Sequence, residues 1–252
     1  MTVITTEAFV IGSINLKESD RIMSFYTKEE GKISAVGKGA RKSRKRFACS
    51  MELLDHLNIS YFKKEGKEIY SLSSVDLIHS ISHSQIDLKK IALFSYIVEL
   101  IREFSPPGEA NNDIFDLLIW FHRITLVESE YMLIICIFIL KLLLYSGFAP
   151  QMNQCCSCSS KVDGKEYFFS NEKNGILCSK CVEDKCHDKP INLGLIKFIE
   201  RINSSGTNML ERIKLSNREA AYLFKILDPY TRLILEKKLK SIDFLKEVFR
   251  EG

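Results

Sequence analysis

An α+β chain is what the sequence predicts: a small five-stranded barrel, then an all-helical domain carrying a cysteine-rich insertion. Three observations predict it. Residues 1–82 hold short alternating apolar runs parted by polar turns, the apolar spacing becomes helical across residues 83–252, and paired cysteines cluster at about 153–187.

In the first region "TEAFVIGSINL" alternates, with Ala8, Val10, Gly12 and Ile14 on one face. "RIMSFYT", "GKISAVG", "LLDHLNISYF" and "EIYSLSSVDLI" follow, bounded by Glu-Gly and Gly-Lys turns. Five short strands in so short a segment suggest a closed or partly open barrel, with the OB-fold the obvious member and an SH3-like barrel the alternative.

From Asp87 the period changes. "DLKKIALFSYIVELIREF" lines up Leu88, Ile91, Phe94, Ile97, Val98, Ile101 and Phe104, and two prolines in "SPPGEANN" stop it. "NDIFDLLIWFHRITL" restarts at an Asn112 or Asp113 cap, and "YMLIICIFILKLLLY" runs to "SGFAP", giving three helices packed on one another. The last of these is shorter than the roughly 20 apolar residues of a membrane span and is interrupted by Lys141, so no membrane role is expected. "NLGLIKFIERI" is a further helix; "SNRE" at Ser216 is a capping box, and "DPY" at Asp228 to Tyr230 is expected to break the final region into two helices.

The whole chain is only at +4, yet "GKGARKSRKRF" packs six cations and no acid between Gly37 and Phe47. Without Lys38, Arg41, Lys42, Arg44, Lys45 and Arg46 the first 80 residues would pass from +3 to −3. The stretch is not a phosphate-binding loop of the G-x-x-x-x-G-K-[ST] type: the second glycine would fall at Lys42, and more strand follows. A loop this rich in arginine and lysine can instead track nucleic-acid phosphates, with Phe25, Tyr26, Phe47, Tyr61, Phe62 and Tyr70 available either for base stacking or for the core.

In "CCSCSSKVDGKEYFFSNEKNGILCSKC" one C-x-x-C is Cys155 and Cys158 and the other is Cys178 and Cys181, with 19 residues between them. Two knuckles joined by a small hairpin make a four-thiolate zinc site, structural because no position is left for water. Lys161, Lys165, Lys180 and Lys185 would offset its charge, and Cys156, Cys186 and His187 rank below the four as ligands. Cys49 and Cys136 read as small buried hydrophobes, and His79 and His83 as surface residues where strand gives way to helix. With no G-x-S-x-G, no H-E-x-x-H and no H-x-E before P-C-x-x-C, and five scattered histidines, an enzyme is not expected. No secretory signal is visible in the first residues, so a cytoplasmic protein is expected.

The basic "KGARKSRKRF" loop in an N-terminal barrel, the helical region ending in "GFAP", the paired knuckles and the closing "LKSIDFLKEV" (Leu239 to Val248) together resemble the bacterial RecO family of recombination mediators. The likeness in organisation covers nearly the whole chain. It implies an OB-fold followed by an all-helical domain with an inserted four-cysteine zinc finger. It also implies a nucleoid-associated protein that binds single- and double-stranded DNA, anneals complementary strands, and works with RecR and the single-stranded-DNA-binding protein (SSB) so that RecA can load. Lys38 to Arg46 would be its DNA-binding loop, and Cys155, Cys158, Cys178 and Cys181 its zinc ligands. The acidic, hydrophobic-ended tail of SSB would take a cation-rimmed apolar pocket in the helical domain, with Lys237, Lys238 and Lys240 as candidates. This chain departs from the family in having Asn174-Gly175 where members often show Gly-Gly, and members differ in keeping the cysteines. An RNA-binding or ribosome-associated zinc protein, and a zinc-stabilised scaffold that binds only protein, are the competing classes.

Overall fold

Five strands close on themselves because each exposes a backbone edge that its neighbour satisfies. The computed structural model describes residues 2–16, 18–40, 47, 51–64, 66–81, 87–127, 130–164, 166–183 and 188–250. The long first strand, β1 (Thr2–Asn15), serves two partners. Its first half pairs antiparallel with β4 (His56–Lys63) and its second half with β2 (Arg21–Thr27). An irregularity between Val10 and Gly12, where the register against β2 shifts, lets it bend from one to the other. β2 pairs with β3 (Gly31–Gly37), β4 pairs with β5 (Ile69–His79), and a short parallel pairing, Ser34 opposite Ile69 to Val36 opposite Ser71, closes the barrel in the order β1-β2-β3-β5-β4. That connectivity is the OB-fold's and rules out the SH3-like alternative.

Alternation fills the interior with Ala8, Val10, Met23, Phe25, Ala35, Leu57, Ile59 and Tyr61, all fully buried. On β1 the opposite face is buried too: Phe9 and Ile11 are fully covered, Phe9 stacking on His56 and lying 5.4 Å from the ring of Phe115. The predicted facing is right for Ala8 and Val10, but Ile14 is exposed near the strand's end.

Two compact units emerge. One holds residues 1–127 with 239–252: the barrel, α1 (Leu88–Phe104), α2 (Asn112–Val127) and α6 (Ser241–Arg250). Asp87 caps α1 by accepting from the Lys90 amide, as the sequence suggests. The apolar stripe is rotated from the one expected: Leu88 and Ile91 are exposed, while Leu93, Tyr96 and Leu100 are fully buried. The cap of α2 is Asn111, one residue earlier than expected, because its Oδ1 reaches the Ile114 amide three residues on. α6 packs on α1, and Glu99 of α1 accepts from the amides of Lys240 and Ser241 and from the Ser241 hydroxyl. A carboxylate thereby neutralises the positive end of a helix 141 residues away.

The other unit, residues 128–238, holds α3 (Tyr131–Tyr145), the finger strands β6 (Tyr167–Ser170), β7 (Gly175–Cys178) and β8 (Lys189–Ile191), α4 (Leu193–Ser204) and α5 (Asn217–Leu235). α3, expected to pack with the first two helices, belongs here with α4 and α5. It is buried almost all round, and among the described residues no helix is long and apolar enough to cross a membrane. Lys141 is 1% exposed; its ammonium donates to the carbonyls of Ser205 and Asn203 at the C-terminal end of α4, where the helix dipole favours a cation.

The expected break at Asp228–Tyr230 is absent, since α5 runs straight through Pro229. Proline removes one amide, but the carbonyl it would have met belongs to exposed Lys225 and can turn to water. Buried Leu223, Phe224, Ile226, Leu227 and Tyr230 hold the helix on both sides. The chain breaks instead at Glu236, which takes a left-handed conformation (φ 53°) as the C-cap.

Candidate nucleic-acid interface and metal centre

The basic loop begins where β3 ends. Lys38 is exposed, Gly39 turns with φ 71° and donates its amide to Asp20 Oδ1 at 2.9 Å, and the Ala40 amide returns to the Gly37 carbonyl. On the far side Phe47, 3% exposed, sits in the barrel core and bridges to Val75 of β5. The segment is thus anchored at both ends, by Ala40 against the core and by Phe47 within it. Of the residues expected to bind DNA, Lys38 is placed on the surface; Arg41, Lys42, Arg44, Lys45 and Arg46 lie outside the described residues, as do Cys49 and His83.

Among the aromatic candidates the structure separates core from surface. Phe25, Tyr26 and Tyr61 are fully buried, and burial raises the Tyr26 hydroxyl to about 12. Tyr70 is half-buried, stacked 5.3 Å from Tyr61 with the rings 12° apart, and the Lys63 ammonium stands 5.7 Å from its centroid. Tyr61 donates to Glu30 Oε2, whose other oxygen pairs with Lys63. Burial, reinforced by the Glu30 carboxylate, holds the Tyr61 phenol far above its ordinary range.

In the other unit the four predicted cysteines come together, their sulfurs within 4.8 Å of one another. Sulfurs about 2.3 Å from a tetrahedral ion stand about 3.8 Å apart. Cys158 and Cys178 are separated by 3.8 Å. The first knuckle turns through Ser159 at φ 57°, whose amide donates to the Cys155 carbonyl, while the Cys155 amide donates to Ser160. The second closes with the Cys181 amide on the Cys178 carbonyl. β6 and β7 pair antiparallel as the expected hairpin, and β8, which no alternation in its three residues announces, adds a third strand. Gly175 cannot be replaced here, because a Cβ would lie 2.3 Å from the Gln151 carbonyl oxygen.

Burial divides the four sulfurs. Cys155 is fully buried and accepts from the Cys178 amide at 3.4 Å, whereas Cys158 is exposed, with Ser160 Oγ 3.2 Å away. The Ser160 hydroxyl and amide draw the Cys158 thiol down to about 6, and the Lys180 amide lowers Cys178. Cys181 is driven the other way, to about 12, by the thiols of Cys158 and Cys178 beside it. Four thiols this close cannot all ionise unless a cation lies among them, so the donor set fits a thiophilic metal ion. Cys156 points instead toward Gly175, where its sulfur would be 2.8 Å from an added Cβ, and burial raises its thiol. Cys136 is wholly buried with its sulfur on the Ala220 carbonyl, the small hydrophobe expected. Lys165, Lys185, Cys186 and His187 lie outside the described residues.

Three of the five histidines, scattered in the sequence, converge beside β1. His56 meets Glu7 at 3.0 Å and stacks on Phe9; exposed His79 lies 6.3 Å from the His56 ring and 6.0 Å from that of His122 on α2. His122 is 6% exposed with no partner for Nε2, and burial depresses it to about 4. Only long-range pairing brings them together, so no local signal in the sequence could have shown it.

A closed five-stranded barrel followed by a cation-rich stretch, with a four-cysteine finger set among helices, is an arrangement that fits the class of nucleic-acid-handling proteins. Comparison with known proteins narrows the class. The family model "Recombination protein O N terminal" matches residues 1–81 and "Recombination protein O C terminal" matches residues 85–243. The DNA repair protein RecO of Caldicellulosiruptor saccharolyticus is 30% identical across 98% of this chain and 99% of its own length. The RecO of Caldanaerobacter subterraneus is 31% identical across 97% and 98%, and that of Syntrophus aciditrophicus 30% across 98% and 96%. The chain belongs to the RecO family of DNA repair proteins.

Proposed function

We propose that this protein is a recombination mediator without enzymatic activity, which holds single- and double-stranded DNA by charge and anneals complementary strands. The observation that carries the reading is membership of the RecO family along the chain, joined to a barrel whose β3 is followed in the sequence by Lys38, Arg41, Lys42, Arg44, Lys45 and Arg46. Such a loop grips phosphates and leaves base edges free, so base pairing supplies specificity and no ATP is needed. In an annealing assay with two complementary labelled strands, Arg41→Glu/Arg44→Glu/Arg46→Glu loses most of the acceleration; undiminished annealing would overturn the reading.

The ion at Cys155, Cys158, Cys178 and Cys181 is Zn2+ in a structural role, since four thiolates leave it no position for water. Loading of RecA onto SSB-coated strands, with RecR as partner, is the task that family membership supports, carried out in the cytoplasm at the nucleoid. For the tail of SSB the cleft between the finger and α5 offers an apolar floor, an alternative to Lys237, Lys238 and Lys240. That cleft, about 1160 Å³, has Phe168, Leu195 and Tyr222 among its lining residues, with the cations Arg218 and Lys225 beside the carboxylates Glu166 and Glu219. Calorimetry with the tail peptide should show binding lost in Arg218→Glu/Lys225→Glu and kept in the triple lysine variant; the reverse would move the site.

A further inference from the structure

Four sulfurs gathered on one cation are alike in charge, because coordination keeps each of them as the thiolate. What differs among them is access. Cys155 is 0% exposed and accepts from the Cys178 amide, whereas Cys158 is exposed and Cys178 and Cys181 are half-buried. Across the two knuckles the sulfurs of Cys158 and Cys178 stand 3.8 Å apart, so a small movement brings them to bonding distance. Ser160 Oγ lies 3.2 Å from the Cys158 sulfur, where its hydroxyl can donate to an oxygen that the sulfur acquires.

Cys178 is also tied into the fold. Register places it opposite Tyr167 at the open end of the β6–β7 hairpin, and the Cys156 amide joins the first knuckle to β7 through the Ile176 carbonyl. Tyr167 and its neighbour Phe168 line the cleft against α5. A change of bonding at Cys178 is therefore felt one strand away, in the wall of that cleft.

We infer that Cys158 and Cys178 are the oxidisable edge of the metal centre, a pair that a hydroperoxide converts to a disulfide, releasing the ion and loosening the β6–β7 hairpin. The Cys158 thiolate displaces hydroxide from the peroxide and becomes a sulfenic acid. The Cys178 thiolate then attacks that sulfur, a second hydroxide leaves and the S–S bond forms. Two electrons pass from the sulfurs to the O–O bond, so two thiolates and one peroxide give one disulfide and two hydroxides. Cys155 and Cys181 alone cannot keep a four-coordinate ion. A small thiol reverses the step by exchange, after which the four sulfurs can close on metal again. This rests on the reading that the four cysteines hold zinc.

The test treats the full-length, zinc-loaded protein with hydrogen peroxide. Zinc release is followed with a chromogenic chelator, the disulfide by peptide mapping without reduction, and the finger by hydrogen exchange. A Cys158–Cys178 disulfide is expected to grow in step with zinc release, with exchange protection lost in β6 and β7 and regained after dithiothreitol and zinc. Cys156→Ser should behave as the wild type. Cys158→His, which offers an imidazole in place of the exposed thiolate, should keep its zinc and release it roughly tenfold more slowly. Mapping on the wild type decides the matter even if that variant takes up no metal. Zinc retained at a peroxide dose that oxidises exposed Met209, or released without a disulfide or with one between another pair, would overturn this inference and leave the zinc reading standing. A wild type that takes up no zinc would overturn both.

Discussion

The barrel and the finger solve one problem by different means. The barrel buries Ala8, Val10, Phe25, Leu57 and Ile59 in a closed sheet and needs no ion to be complete. The finger has three strands of three or four residues each, too short for a core of their own, and gathers four sulfurs instead. Where apolar area suffices, side chains hold the fold; where it does not, coordination replaces the core.

Metal removal should separate the two most sharply. Chelation, or Cys178→Ser, is expected to abolish hydrogen-exchange protection of β6 and β7 while β1 to β5 keep theirs, read by mass spectrometry. Equal loss in both regions would show that the barrel depends on the ion.

The reciprocal change is Leu57→Ala in the barrel, where Leu57 is fully buried. A cost of about 3 kcal/mol is expected, seen as a lower denaturation midpoint with the metal still bound.

The histidines sharpen the comparison through pH. His122, depressed to about 4 by burial, lies below its unfolded value near 6.5, so its contribution is whole above pH 6.5 and is lost as pH falls toward 4. The barrel unit should lose up to about 3 kcal/mol over that window, and His122→Phe should flatten the profile. His56, also depressed chiefly by burial, acts in the same direction, against the pull of Glu7.

The smallest expected effect is at Glu99. Glu99→Gln should weaken the clamp on the start of α6 by about 1 kcal/mol and raise exchange there, with the finger unchanged.

The barrel strands were legible because one buried face imposes alternation, and the finger because two knuckles must aim at one ion. Less legible were features that depend on distant partners. α1 carries apolar residues on more than one face, so its spacing could not decide that Leu93 and Leu100 turn inward while Leu88 and Ile91 stay out. Pro229 reads locally as a breaker, and only the burial around it keeps α5 whole. The docking of α6 on α1 joins residues 141 or 142 apart through a carboxylate that looks like any other on a helix. At the candidate site the sequence identified the cation-rich stretch and the sulfurs, but it could not tell that Tyr26 and Tyr61 belong to the buried side chains, because that depends on which strands pair.

Whether the cations from Lys38 to Arg46 hold phosphates is decided by the salt dependence of single-strand binding, read by anisotropy for the wild type and for a variant with all six changed to serine. A steep loss of affinity with salt is expected in the wild type and a slope shallower by roughly four in the variant, about 0.7 for each phosphate contact removed. Equal slopes in the two proteins would contradict it, since the loop would then hold no phosphates.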